Sequence, residues 1–301
     1  MSKSPAGDAH DRDMHATVVA AVNRWYAQAA RDLPWRRTGT SPWAIMVSEF
    51  MAQQTPVARI ITPWHEWLAR WPTPTSLANS PSSDAVVAWG RLGYPRRALR
   101  LHAAATAIRD DFAGAVPSTV EDLRSLPGVG DYTAGAIASF AFGRRALVLD
   151  TNVRRVLARL DAGREFPANS PTASERNRAL AWLPADARTA ARWAQASMEL
   201  GALICTATSP QCARCPVRRD CTWFAAGRPA HDGPPRTRQS YVGTDRQARG
   251  VLLEALRSTP GGLEVDVLLA RWHTDPDQAV RALNGLLNDG LAHRRDSTIT
   301  L

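Results

Sequence analysis

The chain has a single lysine. Lys3 sits in the polar stretch MSKSPAGDAHDRD, so 36 of the 37 basic residues are arginines. A Schiff-base mechanism needs an amine buried enough to lose its proton, and the body of this chain offers none. Cysteine is nearly as scarce, with four residues, all between positions 205 and 221. That crowding, with no secretory signal, argues against a disulfide framework. No apolar run approaches the roughly 18 residues of a membrane span, and the N-terminus lacks the apolar core of a signal peptide. A cytoplasmic chain without membrane contact is expected, with residues 1–13 as a disordered tail. Alternating β-branched runs are also rare before residue 290, which excludes a fold built on a large sheet.

What remains is a helical, basic chain. It has 301 residues, 45% of them hydrophobic, enough for a sizeable core. Its net charge of +9 and pI of about 10.3 suit a polyanionic partner such as nucleic acid. Seven of the eleven tryptophans fall in the first third, and the helical spacing of Trp64, Trp67 and Trp71 reads as core packing before base stacking. There is no internal repeat. A Pro- and Gly-rich stretch from 229 to 240 reads as a linker. Beyond it, helices are expected over 245–257, 263–272 and 275–289. Gly290 stops the last of them, and LAHRRDSTITL closes the chain as a hairpin. Residues 241–301 therefore suggest a small winged-helix-like module, or a plain three-helix cap.

Four local patterns carry chemistry. In IMVSEFMAQQT, which follows a Ser41 cap and Pro42 at the first helical position, Glu49 is one carboxylate in an apolar run. It is either a buried structural acid or a catalytic one whose proton burial retains. The second pattern, STVEDLRSLPGVGDYTAG, reads as helix, hairpin and helix. Ser118 and Glu121 form a capping box, Gly128, Val129 and Gly130 make the turn, and Asp131 caps the next helix. Amides at such a helix start bind phosphate without reading sequence. In LDTNVRRVLARL, Asp150 is placed as an N-cap and is expected to stay ionised. One protonated and one ionised carboxylate is the asymmetry that glycosidic cleavage needs. Finally, Cys205, Cys212, Cys215 and Cys221, spaced C-x6-C-x2-C-x5-C, suit tetrahedral zinc or a cubane iron–sulfur cluster.

SEFMAQQT, LPGVGDYTAGAIASFAFG, LDTNVRRVLARL and the cysteine loop together resemble the adenine DNA glycosylases of the endonuclease III-like superfamily, over roughly residues 14–228. The resemblance implies a mainly α, helix-hairpin-helix glycosylase fold. A six-helix barrel would span 35–137, and an iron–sulfur domain 14–34 plus 138–228 would hold a [4Fe-4S] cluster on the four cysteines. It implies that Glu49 protonates adenine N7 and then assists water, and that Asp150 stabilises the cationic sugar or bonds to it transiently. Tyr132 and Asn152 would hydrogen-bond these groups, and Gln54, Thr55, Leu92 and Tyr94 would enter the duplex. The implied partner is double-stranded DNA with adenine opposite 8-oxoguanine or guanine, bound by a monomeric, nucleoid-associated bacterial enzyme. Many relatives carry a Nudix-like C-terminal domain, for which the 72 residues after 229 are too few. Three other readings remain: a thymine-mismatch glycosylase, a bifunctional glycosylase/AP lyase of the same fold, and a non-catalytic iron–sulfur DNA-binding regulator. A lyase would need a lysine where Tyr132 stands, and a regulator has no use for two carboxylates facing phosphates.

Overall fold

A computed structural model describes residues 5–233 and 241–301. Positions 1–4 of the expected tail and 234–240 of the expected linker lie outside the described residues. The first helix starts inside the expected tail. Chain contacts divide the described residues into two compact units.

The first unit takes the described parts of Met1–Ile45, Ser118–Ser125 and Val129–Pro234. It holds α1 (Pro5–Ala29), the first turn of α2 (Pro42–Ala52), and then α7 (Val120–Ser125), α8 (Asp131–Phe142), α9 (Thr151–Leu160), α10 (Ala173–Ala181), α11 (Ala187–Leu203) and α12 (Thr222–Ala225). Ser41 Oγ accepts from the Ala44 amide at 3.2 Å, so α2 starts where the Ser-Pro pair predicts. Helix α9 has the most one-sided apolar face of the group. Its Val153, Val156, Leu157 and Leu160 meet Val18 and Val22 of α1, Trp193 and Leu200 of α11, and Trp182 in one core. Close approach is bought with glycine: a Cβ on Gly201 would come within 2.7 Å of Asn152 Cβ, so α11 can lie against the start of α9 only without one.

The second unit takes Met46–Pro117, Leu126–Gly128 and the described residues after 240. It contains the rest of α2, then α3 (Ile61–Arg70), α4 (Pro74–Ala78), α5 (Ser82–Trp89) and α6 (Arg96–Asp111). Trp67 meets Trp71 and Trp89 edge-on at 4.7 and 5.6 Å, so the tryptophans at helical spacing are core, as their period predicts. The C-terminal residues form α13 (Asp245–Arg257), β1 (Leu263–Glu264), α14 (Val265–Leu269), α15 (Pro276–Asn288), β2 (His293–Arg295) and β3 (Thr298–Thr300). The strands make an antiparallel sheet of order β1-β3-β2. The helix expected over 263–272 is shorter than its pattern, because Leu263 and Glu264 pair with Ile299 and Thr298 instead. This module groups with α2–α6. Arg257 Nε donates to the Val86 carbonyl at 3.0 Å, and Arg96 at the start of α6 meets Asp289 at 3.3 Å. Among the described residues no helix is long and apolar enough to cross a membrane.

Candidate functional site

Asp150 ends an extended segment and caps α9. Its Oδ1 accepts from the Val153 amide at 2.6 Å and its Oδ2 from Asn152 Nδ2 at 2.7 Å. Asn152 Oδ1 in turn accepts from Arg155 at 2.8 Å, and Arg155 reaches the Gly201 and Cys205 carbonyls at 2.7 and 2.8 Å. A continuous chain of hydrogen bonds thus runs from the carboxylate to the backbone of the first cysteine. The cap is as predicted, but its electrostatic result is not. Burial pushes the Asp150 carboxyl up from its ordinary value, outweighing the Val153 and Asn152 hydrogen bonds and the Arg155 charge. The N-cap orients this carboxylate; it does not hold it below the usual range. Tyr132, on α8, is half-buried against Ala136, Val148 and Ala194.

The hairpin turn has two different glycines. Gly128 adopts φ +79°, and a Cβ there would strike Arg100 Cβ at 2.7 Å and Phe50 at 3.1 Å. A Cβ on Gly130 would meet nothing within 4 Å, so no internal crowding demands that glycine. Val129 is buried. The caps fall one residue away from the expected ones. Thr119 Oγ1, not Ser118, accepts from the Asp122 amide at 3.1 Å, and Gly130 is the N-cap of α8 with no side-chain cap. Asp131 lies in the first turn, drawn to Arg124 at 2.8 Å and Arg176 at 3.2 Å, so its carboxylate faces cations instead of the amides behind it.

In the other unit Glu49 is buried on α2, a helix whose Met46, Val47, Phe50 and Met51 are buried as well. Helix α2 runs out into the loop that carries Gln54 and Thr55. Gln54 is exposed, with φ +56°. Thr55 is buried and donates to the Leu92 carbonyl at 3.2 Å. Leu92 is buried too, whereas Tyr94, with φ +47°, is 47% exposed. Of the four residues expected at the duplex, Gln54 and Tyr94 therefore present side chains at the surface. Thr55 and Leu92 bind the two loops together.

Arg97 is what sequence reasoning missed. Buried on α6, it donates to the Phe50 and Met51 carbonyls at 2.8 and 3.1 Å and to Gln53 O. It also reaches Thr55 Oγ1 and Gly93 O, both at 3.0 Å. Burial lowers its pKa to about 10, so it stays charged at neutral pH. Its sequence signal is position: Arg97 falls on the face of α6 that carries Leu101, Ala104, Ala105 and Ile108. Glu199 was missed as well. It is 1% exposed and meets Arg31 at 2.7 Å and Arg36 at 3.0 Å.

The four cysteines form no disulfide and are half-buried. Burial, reinforced by the neighbouring thiols of Cys205, Cys221 and Cys212, pushes Cys215 up to about 12. Burial and neighbouring thiols also push Cys221 up. Among the described residues no three Cys, His, Asp or Glu side chains converge on one point as a single-ion site would require. Arg159, 1% exposed, donates to Cys205 Sγ at 3.4 Å and to the Thr206 and Ala207 carbonyls, and lies over the Trp223 ring at 4.6 Å.

Residues 47–184 match the HhH-GPD superfamily of base excision DNA repair proteins. Over 270 residues, 90% of this chain and 88% of the other, the sequence is 50% identical to an adenine DNA glycosylase of Mycobacterium tuberculosis. It is 42% identical over 205 residues to the adenine DNA glycosylase of Homo sapiens, covering 65% of this chain and 37% of that one. In structure it is similar to a thermostable thymine-DNA glycosylase, with a TM-score of 0.65 at 24% identity, over 71% of this chain and 98% of that one. That last likeness concerns the fold.

Proposed function

The chain belongs to the adenine DNA glycosylases of the HhH-GPD superfamily, and on that premise we propose that it removes adenine paired with 8-oxoguanine or guanine by hydrolysis alone. The observation that carries this reading is the Asp150 carboxylate, whose two oxygens are fixed by Val153 and Asn152 in a half-buried position desolvated by the surrounding protein. An anion held where water is scarce acts strongly on a cation forming next to it, and a sugar losing its base becomes such a cation.

Glu49 donates a proton to adenine N7, which turns the base into a neutral leaving group. The N9–C1′ bond breaks with its electron pair on the base, and Asp150 stabilises the oxocarbenium sugar. Water then adds at C1′ and gives its proton to Glu49, leaving an abasic site and free adenine. Side chains held inside the protein cannot reach N7 and C1′ together while the base is stacked, so the nucleotide is flipped. Exposed Gln54 and Tyr94 are suited to the space it vacates. The reaction stops at the abasic site because Tyr132 occupies the position of the lyase lysine, and Lys3 is the one lysine of the chain.

Cys205, Cys212, Cys215 and Cys221 would hold a [4Fe-4S] cluster, one thiolate to each iron. The donor set fits: the four thiols are free and half-buried, a metal takes them in their deprotonated form, and a cubane needs no three donors on one atom. Bound there, the cluster would staple the loop and bring redox chemistry that the hydrolysis does not use. The test is single-turnover excision from duplexes with adenine opposite 8-oxoguanine, guanine, cytosine and thymine, with alkali added afterward, alongside iron and sulfide analysis. Alkali-dependent breaks mainly opposite 8-oxoguanine and guanine, in protein with four irons and four sulfides per chain, are expected. Strand breaks without alkali, or excision of thymine instead, would overturn the reading.

A further inference from the structure

We propose that the β2–β3 hairpin at the C-terminus is a second contact to the DNA sugar-phosphate backbone, held beside the Leu92–Tyr94 loop by Asp289. The proposal rests on action upon DNA and not on which base is removed.

The order of elements in this module, helix, strand, helix, helix, strand, strand, is that of a winged helix, in which the third helix is the obvious DNA reader. Here that helix is unsuited to the task. α15 opens with Asp275 and Asp277, and its exposed Arg281 is engaged by Asp275 at 3.6 Å and by Asp245 at 3.9 Å. Arg249 is tied to Asp289, and Arg257 to Glu254 and the Val86 carbonyl. These cations are already compensated inside the module.

The hairpin differs. His293, Arg294 and Arg295 are all exposed, on an edge strand. Arg294 donates to the Asp296 carbonyl at 2.9 Å, which fixes the guanidinium stem without neutralising it. The register sets His293 against Thr300 and Arg295 against Thr298, so these two share one face of the ribbon with threonines, while Arg294 stands opposite Ile299 on the other. The acid of that row, Glu264, accepts from the hydroxyl of Thr298 at 2.9 Å.

Placement supplies the second argument. Asp289 takes Arg96 at 3.3 Å and also holds Arg249. Arg96 is two residues past Tyr94, and a Cβ on Gly290 would lie 4.0 Å from Leu99. His293 is three positions past Gly290, and an extended chain covers only about 10 Å in that distance. The basic ribbon therefore starts close to the first two turns of α6, the helix that carries the Leu92–Tyr94 loop. A duplex engaged at exposed Tyr94 runs past cations whose charge nothing on the ribbon cancels except Asp296.

The test uses the full chain, its salt dependence of binding to an undamaged duplex, and single-turnover excision at saturating protein. Arg294→Ala/Arg295→Ala should keep its melting temperature and saturated excision rate, and flatten the slope of log Kd against log salt by about 1 to 2. Arg281→Ala, on the helical side of the module and already paired with Asp275 and Asp245, should leave the slope unchanged. Asp289→Ala bares Arg96 and Arg249 next to the Leu92–Tyr94 loop and should steepen the slope. An unchanged slope in the hairpin variant, or an equal flattening in the helix variant, would overturn the assignment to the ribbon; an unchanged slope in Asp289→Ala would overturn its placement. Selective loss of preference for 8-oxoguanine over guanine in the hairpin variant would make the ribbon a lesion reader and also overturn the proposal. Since the duplex is undamaged, the binding result stands whichever base is excised.

Discussion

Arg97 donates to Thr55 Oγ1 at 3.0 Å, while the Thr55 hydroxyl donates to the Leu92 carbonyl at 3.2 Å. Two loops separated by almost forty residues are thereby closed on one buried guanidinium, which has carbonyls and a hydroxyl for partners and no carboxylate among them. The flanking Gln54 and Tyr94 both hold positive φ, a conformation that side chains disfavour and that surroundings must impose.

Replacing Arg97 with Met should strand several buried carbonyls and cost about 2–4 kcal/mol of stability. Arg97→Lys keeps the charge but lacks the fork. It should fold, with faster amide exchange at both loops and single-turnover excision slowed about tenfold, the scale expected when positioning worsens slightly. Normal exchange and normal excision in the lysine variant would leave Arg97 an ordinary core residue.

Glu199 gives a pH signature. Burial pushes its carboxyl up, but the Arg31 and Arg36 guanidiniums pull it further down, to about 2 from an ordinary 4.5. A depressed folded pKa contributes stability that is fully present above about 4.5 and lost as pH falls toward 2. Glu199→Gln should therefore be less stable at neutral pH by about 3 kcal/mol, with a shallower loss in that acid window. Parallel acid profiles for parent and variant would show that this ion pair does not set the slope.

Asp150 has the opposite sign. Its folded pKa is raised, so between the unfolded and the folded value the folded chain keeps a proton that the unfolded chain releases; stability falls as pH rises through that window, and the carboxylate that serves the sugar is the form present above it. Asp150→Asn should lack that fall while losing excision. Denaturant midpoints measured across pH 4 to 8 decide the matter, and identical profiles for parent and variant would contradict the burial argument.

The features legible in the sequence were those that neighbouring residues determine. The Ser41-Pro42 start of α2, the Asp150 cap, the tryptophan core and the span of α13 follow from periodicity and local hydrogen bonding. Adjacent hydroxyls compete for one cap, and Thr119 won where Ser118 was expected. Asp131 turns from its own amides to Arg124 and to Arg176, the latter 45 residues on and invisible to a local reading. The same limit hid Glu199, whose arginines lie more than 160 residues earlier. It also hid the electrostatics of Asp150: a cap motif reveals the hydrogen bonds but not how much water the fold removes.

The central claim is that Glu49, buried on α2, is the acid that drives adenine out. The most direct measurement is single-turnover excision by Glu49→Gln on a duplex with adenine opposite 8-oxoguanine, with affinity for the same duplex measured in parallel. A loss of about 100-fold or more in rate is expected, within the 10²–10⁴ that general acid–base catalysis supplies, with affinity held to within a few-fold. Excision near the parent rate by protein that binds normally would contradict the account and return Glu49 to the helix core as a structural carboxylate.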